Sequence, residues 1–231
     1  IYGIPRNSTT VLKINPSDDS VSTFGSLAGS DKWGGGVLAS NGMIYGIPVS
    51  ATTVLKIDPL GDTAGTFGSV GGAVFKWIGG VLAPDGFIHG IPYSITTAGS
   101  TFLVIDPTDD TVRGWGTATG TAKWIGGVLG PDGHIWGVPF TSTSILRLNP
   151  IEDSSARVRI LSGSSKWAGG VLAPNGKIYC IPRDSTTILK IDPSDDSVST
   201  FGSLSGSAKW SGGVLGSNGK IYCIPRVQQQ F

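Results

Sequence analysis

The pattern Lys-Trp-x-Gly-Gly-Val-Leu recurs five times along the 231 residues of the chain. Its tryptophans are separated by 44, 47, 43 and 43 residues and lie at Trp33, Trp77, Trp124, Trp167 and Trp210. Residues 8–26 and 185–203 are also related, since they differ at only two positions. Self-similarity at this period indicates an array in which each copy forms one supersecondary unit.

Each repeat predicts four short β-strands, which we term A to D in chain order. Strand A is the Trp-x-Gly-Gly-Val-Leu-Ala segment, as at residues 33–39. An Asn-Gly or Asp-Gly pair follows it every time, which predicts a hairpin with a type I′ turn to strand B, Ile-Tyr-Gly-Ile-Pro. Strand C is the Thr-Val-Leu-Lys-Ile segment and strand D is Val-Ser-Thr-Phe-Gly-Ser. The paired glycines of strand A allow neighbouring backbones to approach closely, so we expect strand A to be innermost.

Composition excludes several classes of protein. The chain has 36 Gly and 14 Pro, which disfavours a helical bundle, while its 39% hydrophobic content disfavours disorder. No window reaches the roughly 18 apolar residues of a membrane-spanning helix, so we predict no membrane insertion. The charge is nearly balanced at +1, which gives little electrostatic basis for binding nucleic acid.

The number of strands predicts how the array closes. The sequence contains five copies each of strands A, C and D but six of strand B. We therefore predict an all-β fold: a five-bladed β-propeller of four-stranded antiparallel blades, forming a single domain over residues 1–231. Its ring would be closed by pairing N- and C-terminal strands, with either Ile1–Pro5 or Ile221–Pro225 as the B strand of the closing blade. The alternative is that the chain is part of a longer array.

The repeated Lys-Trp-x-Gly-Gly-Val-Leu and Ile-x-Gly-Ile-Pro segments resemble those of β-propeller repeat proteins, and the resemblance covers essentially the whole chain. In size and repeat length the five-bladed form is similar to propeller lectins of the tachylectin-2 type. The resemblance implies architecture only, because the signature residues of those lectins are not matched motif by motif.

The Lys-Trp pairs are open to two interpretations. Each Trp is either a wedge between blades, with its Lys as a solvated cap, or a platform on which a sugar ring stacks while Lys donates to the ligand. The five lysines would also form a ring that attracts anions. The fourth repeat replaces the D-strand pattern with Arg157, Arg159 and Ile160, so any set of sites is not uniform. The candidate ligand-binding residues are Lys32, Trp33, Lys76, Trp77, Lys123, Trp124, Lys166, Trp167, Lys209, Trp210, Arg6 and Arg183.

The titratable residues do not form a recognisable catalytic or metal-binding pattern. The carboxylates fall in predicted turns and loops, where Asp bonds its own backbone, and they lack the order of a calcium loop. His89 and His134 occupy different repeat positions, which disfavours a metal pair. Cys180 and Cys223 replace the glycine of strand B, and we expect both to be small, buried and unbridged. We therefore predict no catalytic residue, metal or cofactor.

These patterns predict a non-catalytic, multivalent binding module, lectin-like and monomeric, whose partners are glycans or glycoconjugates. Several near-identical weak sites become useful when they engage together. The alternatives are a structural or protein-scaffolding propeller and, more remotely, a glycan-active enzyme. The glycosylation sequon Asn7-Ser8-Thr9 is compatible with an extracellular or secreted protein.

Overall fold

The computed structural model describes residues 1–72, 75–94, 101–116 and 123–226, and every regular element in these ranges is a β-strand. The chain divides into two compact units, Ile1–Gly120 and Thr121–Phe231. The first unit contains β1 (Tyr2–Gly3), β2 (Val11–Asn15), β3 (Ser20–Phe24), β4 (Trp33–Leu38), β5 (Ile44–Pro48), β6 (Val54–Asp58), β7 (Thr63–Phe67), β8 (Trp77–Leu82), β9 (Ile88–Pro92), β10 (Phe102–Asp106) and β11 (Thr111–Trp115). The second contains β12 (Trp124–Leu129), β13 (Ile135–Pro139), β14 (Ser144–Asn149), β15 (Ser154–Ile160), β16 (Trp167–Leu172), β17 (Ile178–Pro182), β18 (Ile188–Asp192), β19 (Ser197–Phe201), β20 (Trp210–Leu215) and β21 (Ile221–Pro225).

Strands that follow one another in the sequence pair antiparallel, giving six sheets in the described residues. Sheet one is β1–β3, sheets two to five are the four-stranded sets β4–β7, β8–β11, β12–β15 and β16–β19, and sheet six is β20–β21. The strands predicted from the repeats are therefore confirmed, including both terminal copies of strand B, β1 and β21, although β1 has only two residues. The predicted antiparallel four-stranded blade is thus repeated along the chain.

The A–B hairpins form where the Asn-Gly and Asp-Gly pairs predict them, but the predicted type I′ turn is wrong. In the first hairpin the Gly42 amide donates to the Ala39 carbonyl at 3.0 Å, and Ala39 N in turn donates to Met43 O. Gly42 alone has a positive φ (80°), so the loop is a type I turn followed by a left-handed glycine. Asn41 contributes through its side chain instead, accepting the Met43 amide proton at 3.0 Å.

The glycines of strand A allow the close approach that the sequence predicts. Gly35 has φ of 84°, and a Cβ placed there would lie 3.3 Å from the Cα of Gly79 in the next sheet. In the second unit, a Cβ on Gly169 would lie 3.5 Å from the Cα of Gly212. The first strands of successive sheets within each unit therefore pack backbone against backbone, and the core fills the space between the sheets.

Candidate functional site

The tryptophans that begin strand A are buried in four of the five repeats. Trp33, Trp77, Trp124 and Trp167 retain only 1–5% of their exposure, and the indole N–H of each donates to a backbone carbonyl at the end of the B–C loop or the start of strand C in its own sheet. Trp33 Nε1, for example, lies 2.9 Å from Thr53 O. Trp33, Trp77 and Trp167 also pack in cores between successive sheets, as a wedge would. Trp210, which begins the two-stranded sheet six, is half-buried.

The lysines beside them are not solvated caps, so this part of the wedge interpretation is wrong for Lys32, Lys76 and Lys166, each 4% exposed. The ammonium group of Lys166 donates to three carbonyls, Phe140 O (3.1 Å), Ser142 O (2.8 Å) and Gly163 O (2.7 Å). A lysine has three protons to donate, so the donors of Lys166 are fully used. Lys32 follows the same plan, with Ser8 O and Gly29 O as acceptors.

The Lys32-Trp33, Lys76-Trp77 and Lys166-Trp167 pairs therefore each join two successive repeats. The ammonium of Lys166 reaches the B–C loop of sheet four, while the indole of Trp167 reaches the B–C loop of sheet five. The ammonium also lies over the indole, 6.0 Å from the ring centroid, and the other four pairs have distances of 5.4–5.9 Å. Burial lowers the pKa of Lys123 and Lys166, and lowers that of Lys76 to about 8.

The two predicted arginines lie in B–C loops but have local partners. Arg6 forms an exposed ion pair with Asp31, with Nε 2.8 Å from Oδ1. The guanidinium of Arg183 lies over the ring of Phe140, 4.9 Å from its centroid. Neither arginine lines the two pockets described next.

Two pockets open beside the Lys-Trp pairs, one in each unit. Pocket I, of about 440 Å³, lies between sheets one and two and contains Lys32 and Trp33. Pocket II, of about 510 Å³, lies between sheets four and five and contains Lys166 and Trp167. In both, the walls are the D–A loop of one sheet and the B–C loop and D strand of the next. In each pocket the structure thus brings together two of the predicted ligand-binding residues with loops from two repeats.

The two pockets are copies of one site. Every residue that lines pocket I has its repeat counterpart in the lining of pocket II, although the pockets lie in different units. The twelve pairs are Ser26/Ile160, Leu27/Leu161, Ala28/Ser162, Gly29/Gly163, Ser30/Ser164, Lys32/Lys166, Trp33/Trp167, Ser50/Asp184, Ala51/Ser185, Thr52/Thr186, Thr53/Thr187 and Thr66/Thr200.

Three exposed hydroxyl groups that are available to bind a ligand recur at the same repeat positions of both pockets. In pocket I they belong to Ser30, Thr52 and Thr66, which are exposed and whose hydroxyls have no hydrogen-bond partner in the described part of the chain. Their counterparts in pocket II are equally exposed and unpartnered there: Ser164, Thr186 and Thr200. Sequence analysis missed these residues, although their recurrence at fixed repeat positions was a signal for them.

The histidines belong to a structural feature of the A–B hairpins. His89 Nε2 lies 2.9 Å from Asp85 Oδ2, and at the same two repeat positions Asn41 Nδ2 donates to the Tyr45 hydroxyl at 2.9 Å. The Asp-His pair therefore replaces an Asn-Tyr pair that holds the hairpin. Across residues 1–72, 75–94, 101–116 and 123–226, no three His, Cys, Asp or Glu side chains are grouped to hold a metal ion. The same ranges contain no helix long and apolar enough to cross a membrane.

No family model matches the sequence, and no curated protein matches it either. Solved structures do match the fold. Virginiamycin B lyase from Staphylococcus aureus is 15% identical with a TM-score of 0.77, over 97% of this chain and 80% of the lyase. A streptogramin B lyase structure is 13% identical with a TM-score of 0.79, over 97% of this chain and 72% of that chain. An extracellular domain from B. thetaiotaomicron is 10% identical with a TM-score of 0.69, over 93% of this chain and 31% of that chain. The structural neighbours are β-propeller proteins, and at these identities the likeness shows the fold alone.

Proposed function

We propose that this protein is a non-catalytic, multivalent module that binds carbohydrate in pockets I and II. The observation that carries the proposal is the recurrence of one hydroxyl-lined pocket at the same twelve repeat positions in both units. The three unpartnered hydroxyls of each pocket are exposed, so a ligand can bond them in place of water.

The chemistry of the lining suits a saccharide. Ser and Thr hydroxyls both donate and accept, which matches the hydroxyls of a sugar ring. Volumes of about 440 and 510 Å³ fall within the range of small-ligand sites. Because the pockets are open and offer few polar groups, each binds weakly. Avidity comes from the simultaneous occupation of several pockets.

The roles of the Lys-Trp pairs change in this proposal. They form the floor of each pocket, where the buried indole and the carbonyl-bound ammonium hold two loops in register. The ligand contacts pass to the exposed hydroxyls above them. Lys166 has no N–H left for an anion, because it already gives its three protons to carbonyls.

We also propose that the ring closes through its terminal strands as a five-bladed propeller, and that the protein acts outside the cell, where some of its structural neighbours are found. Two neighbours are lyases by name, but their low identity carries no active-site residue to this chain. A glycan-binding experiment distinguishes carbohydrate binding from the scaffolding alternative.

A glycan array and an agglutination assay with the intact chain test this function. The double variant Thr52→Val/Thr186→Val removes one free hydroxyl from each pocket and should lower glycan binding while changing stability by less than about 0.5 kcal/mol. Thr63→Val is the control. Thr63 is an exposed threonine at the start of β7 that lines neither pocket, so this variant should bind as the wild type does. If the wild-type protein binds no glycan, the scaffolding function is the better proposal. If the double variant binds glycan as the wild type does, pockets I and II are not the binding sites.

A further inference from the structure

Arg159 lies at a backbone position where the other repeats have glycine. Its φ is 59°, in the left-handed region, and the equivalent residues are Gly25, Gly68, Gly116 and Gly202, with φ of 58–83°. A residue with a Cβ is disfavoured there by roughly 1–2 kcal/mol. Backbone strain of this kind concentrates at sites that bind ligands or carry out chemistry.

The strand that carries Arg159 is also unusual. β15 has seven residues, and it carries a bulge, since Ser144 pairs with Ile160 while Ile145 pairs with Val158. Arg159 is the extra residue of this bulge. A bulge redirects the side chain that it carries, and here Arg159 lines pocket II. Its side chain has no hydrogen bond or ion pair to any residue in the described ranges.

Pocket II differs from pocket I in charge as well. Asp184 stands where pocket I has Ser50, and both side chains accept a backbone N–H from the next D–A loop, of Ala208 and Phe75 respectively. Asp184 forms no ion pair with Arg159, and one of its carboxylate oxygens instead accepts the Ala208 amide proton. Pocket II therefore holds two charges that pocket I lacks, the unpaired guanidinium of Arg159 and the carboxylate of Asp184, and of these only the guanidinium can attract an anion.

We propose that pocket II is selective for acidic saccharides, with Arg159 binding an oxyanion of the ligand, and that pocket I binds neutral ones. This inference rests on the proposed carbohydrate-binding function. A guanidinium presents a planar pair of donors that matches a carboxylate or a sulfate ester, and such charged hydrogen bonds are among the strongest in proteins. Glycine at position 25 gives pocket I no such group.

The test compares wild type with Arg159→Gly, which restores the residue of the other repeats and relieves the strain, so the variant should fold. An array carries uronic acids, sialic acids and sulfated sugars beside their neutral parents. We expect the variant to lose about tenfold in apparent affinity for the acidic glycans, the scale of one charged hydrogen bond, and to bind neutral glycans within about twofold of wild type. The carboxylate and sulfate arms show which oxyanion is bound.

A second variant tests the same charge logic. Asp184→Ser carries the residue of pocket I, can still accept the Ala208 amide, and should strengthen acidic-glycan binding by removing an opposing charge. Acidic glycans that bind wild type and Arg159→Gly equally, or binding confined to neutral glycans, would overturn the inference while leaving the proposed function intact. Absence of binding to every glycan would overturn both.

Discussion

The ammonium nitrogen of Lys13 lies 2.7 Å from the carboxylate of Asp62, which belongs to the next sheet along the chain. The same relationship recurs in both units, because the third or fourth residue of strand C pairs with the left-handed Asp of the following C–D turn. The other examples are Lys56–Asp110 at 2.6 Å and Arg147–Asp196 at 3.0 Å. The acceptor aspartates have φ of 50–58°, a conformation that Asp tolerates better than most residues.

This relationship gives a test of the proposed ring closure. If the terminal strands complete one blade, the repeat pattern places Lys190 opposite Asp19. A double-mutant cycle with Lys190→Met and Asp19→Asn should then give a coupling energy of about 0.2–1 kcal/mol, as expected for an exposed pair. The cycle on Lys13 and Asp62 is the control. Coupling in the control but none between Lys190 and Asp19 would contradict closure.

The lysines beside the tryptophans should contribute unequally to stability, according to how deeply each is buried. Lys166→Met keeps the apolar stem and the backbone N–H that Phe140 O also accepts, but it leaves the Ser142 and Gly163 carbonyls without their donor, which should lower the free energy of unfolding by about 2–5 kcal/mol. Lys209 is half-buried and donates to Gly206 O, so Lys209→Met should cost about 1 kcal/mol or less. Urea midpoints of the two variants measure the difference, and equal losses would show that carbonyl satisfaction is not the cause.

Lys76 should give the protein a stability that rises at alkaline pH. Burial lowers its pKa to about 8 from the ordinary 10.5, so between these values the unfolded chain binds more protons than the folded one. Stability that depends on this group therefore increases with pH from about 8 to 10.5 and is constant below that window. Lys76→Met should lack the increase. Parallel pH profiles of urea midpoint for the two proteins would contradict the assignment.

The two thiols should react at different rates. Both are unpaired, but Cys180 is buried while Cys223 is half-buried, so the expectation that both are buried is wrong for Cys223. Burial raises the pKa of both thiols, most strongly that of Cys180, which further slows its reaction. An aromatic disulfide reagent should modify one thiol in native protein and the second only in denaturant. Cys223→Gly should abolish the native reaction; if that reaction persists, the reactive thiol is Cys180.

The repeat pattern was sufficient to predict the strands, their order and the close contacts of strand A, because glycine pairs and hairpin dipeptides act over a few residues. The burial of Lys166 was not predictable in this way. Its acceptors lie 3, 24 and 26 residues away along the chain, and lysine is rarely buried in proteins. The pockets escaped prediction for a related reason, since each needs loops from two repeats. The departure of Arg159 from the repeat was visible in the sequence, but its left-handed backbone and its place in pocket II were not.

Because each pocket is shared between two repeats, its lining comes from two separate segments of the sequence. A change in a D–A loop alters the pocket on one side of a sheet, and a change in a B–C loop alters the pocket on the other. Residues 8–26 and 185–203, for example, are almost identical in sequence. The first segment nevertheless ends in the D–A loop wall of pocket I, whereas the second begins in the B–C loop wall of pocket II. Recombination or duplication of whole repeats would conserve the scaffold while producing new combinations of pocket walls. Ligand preference in such an array can therefore change while the sequences of its strands stay the same.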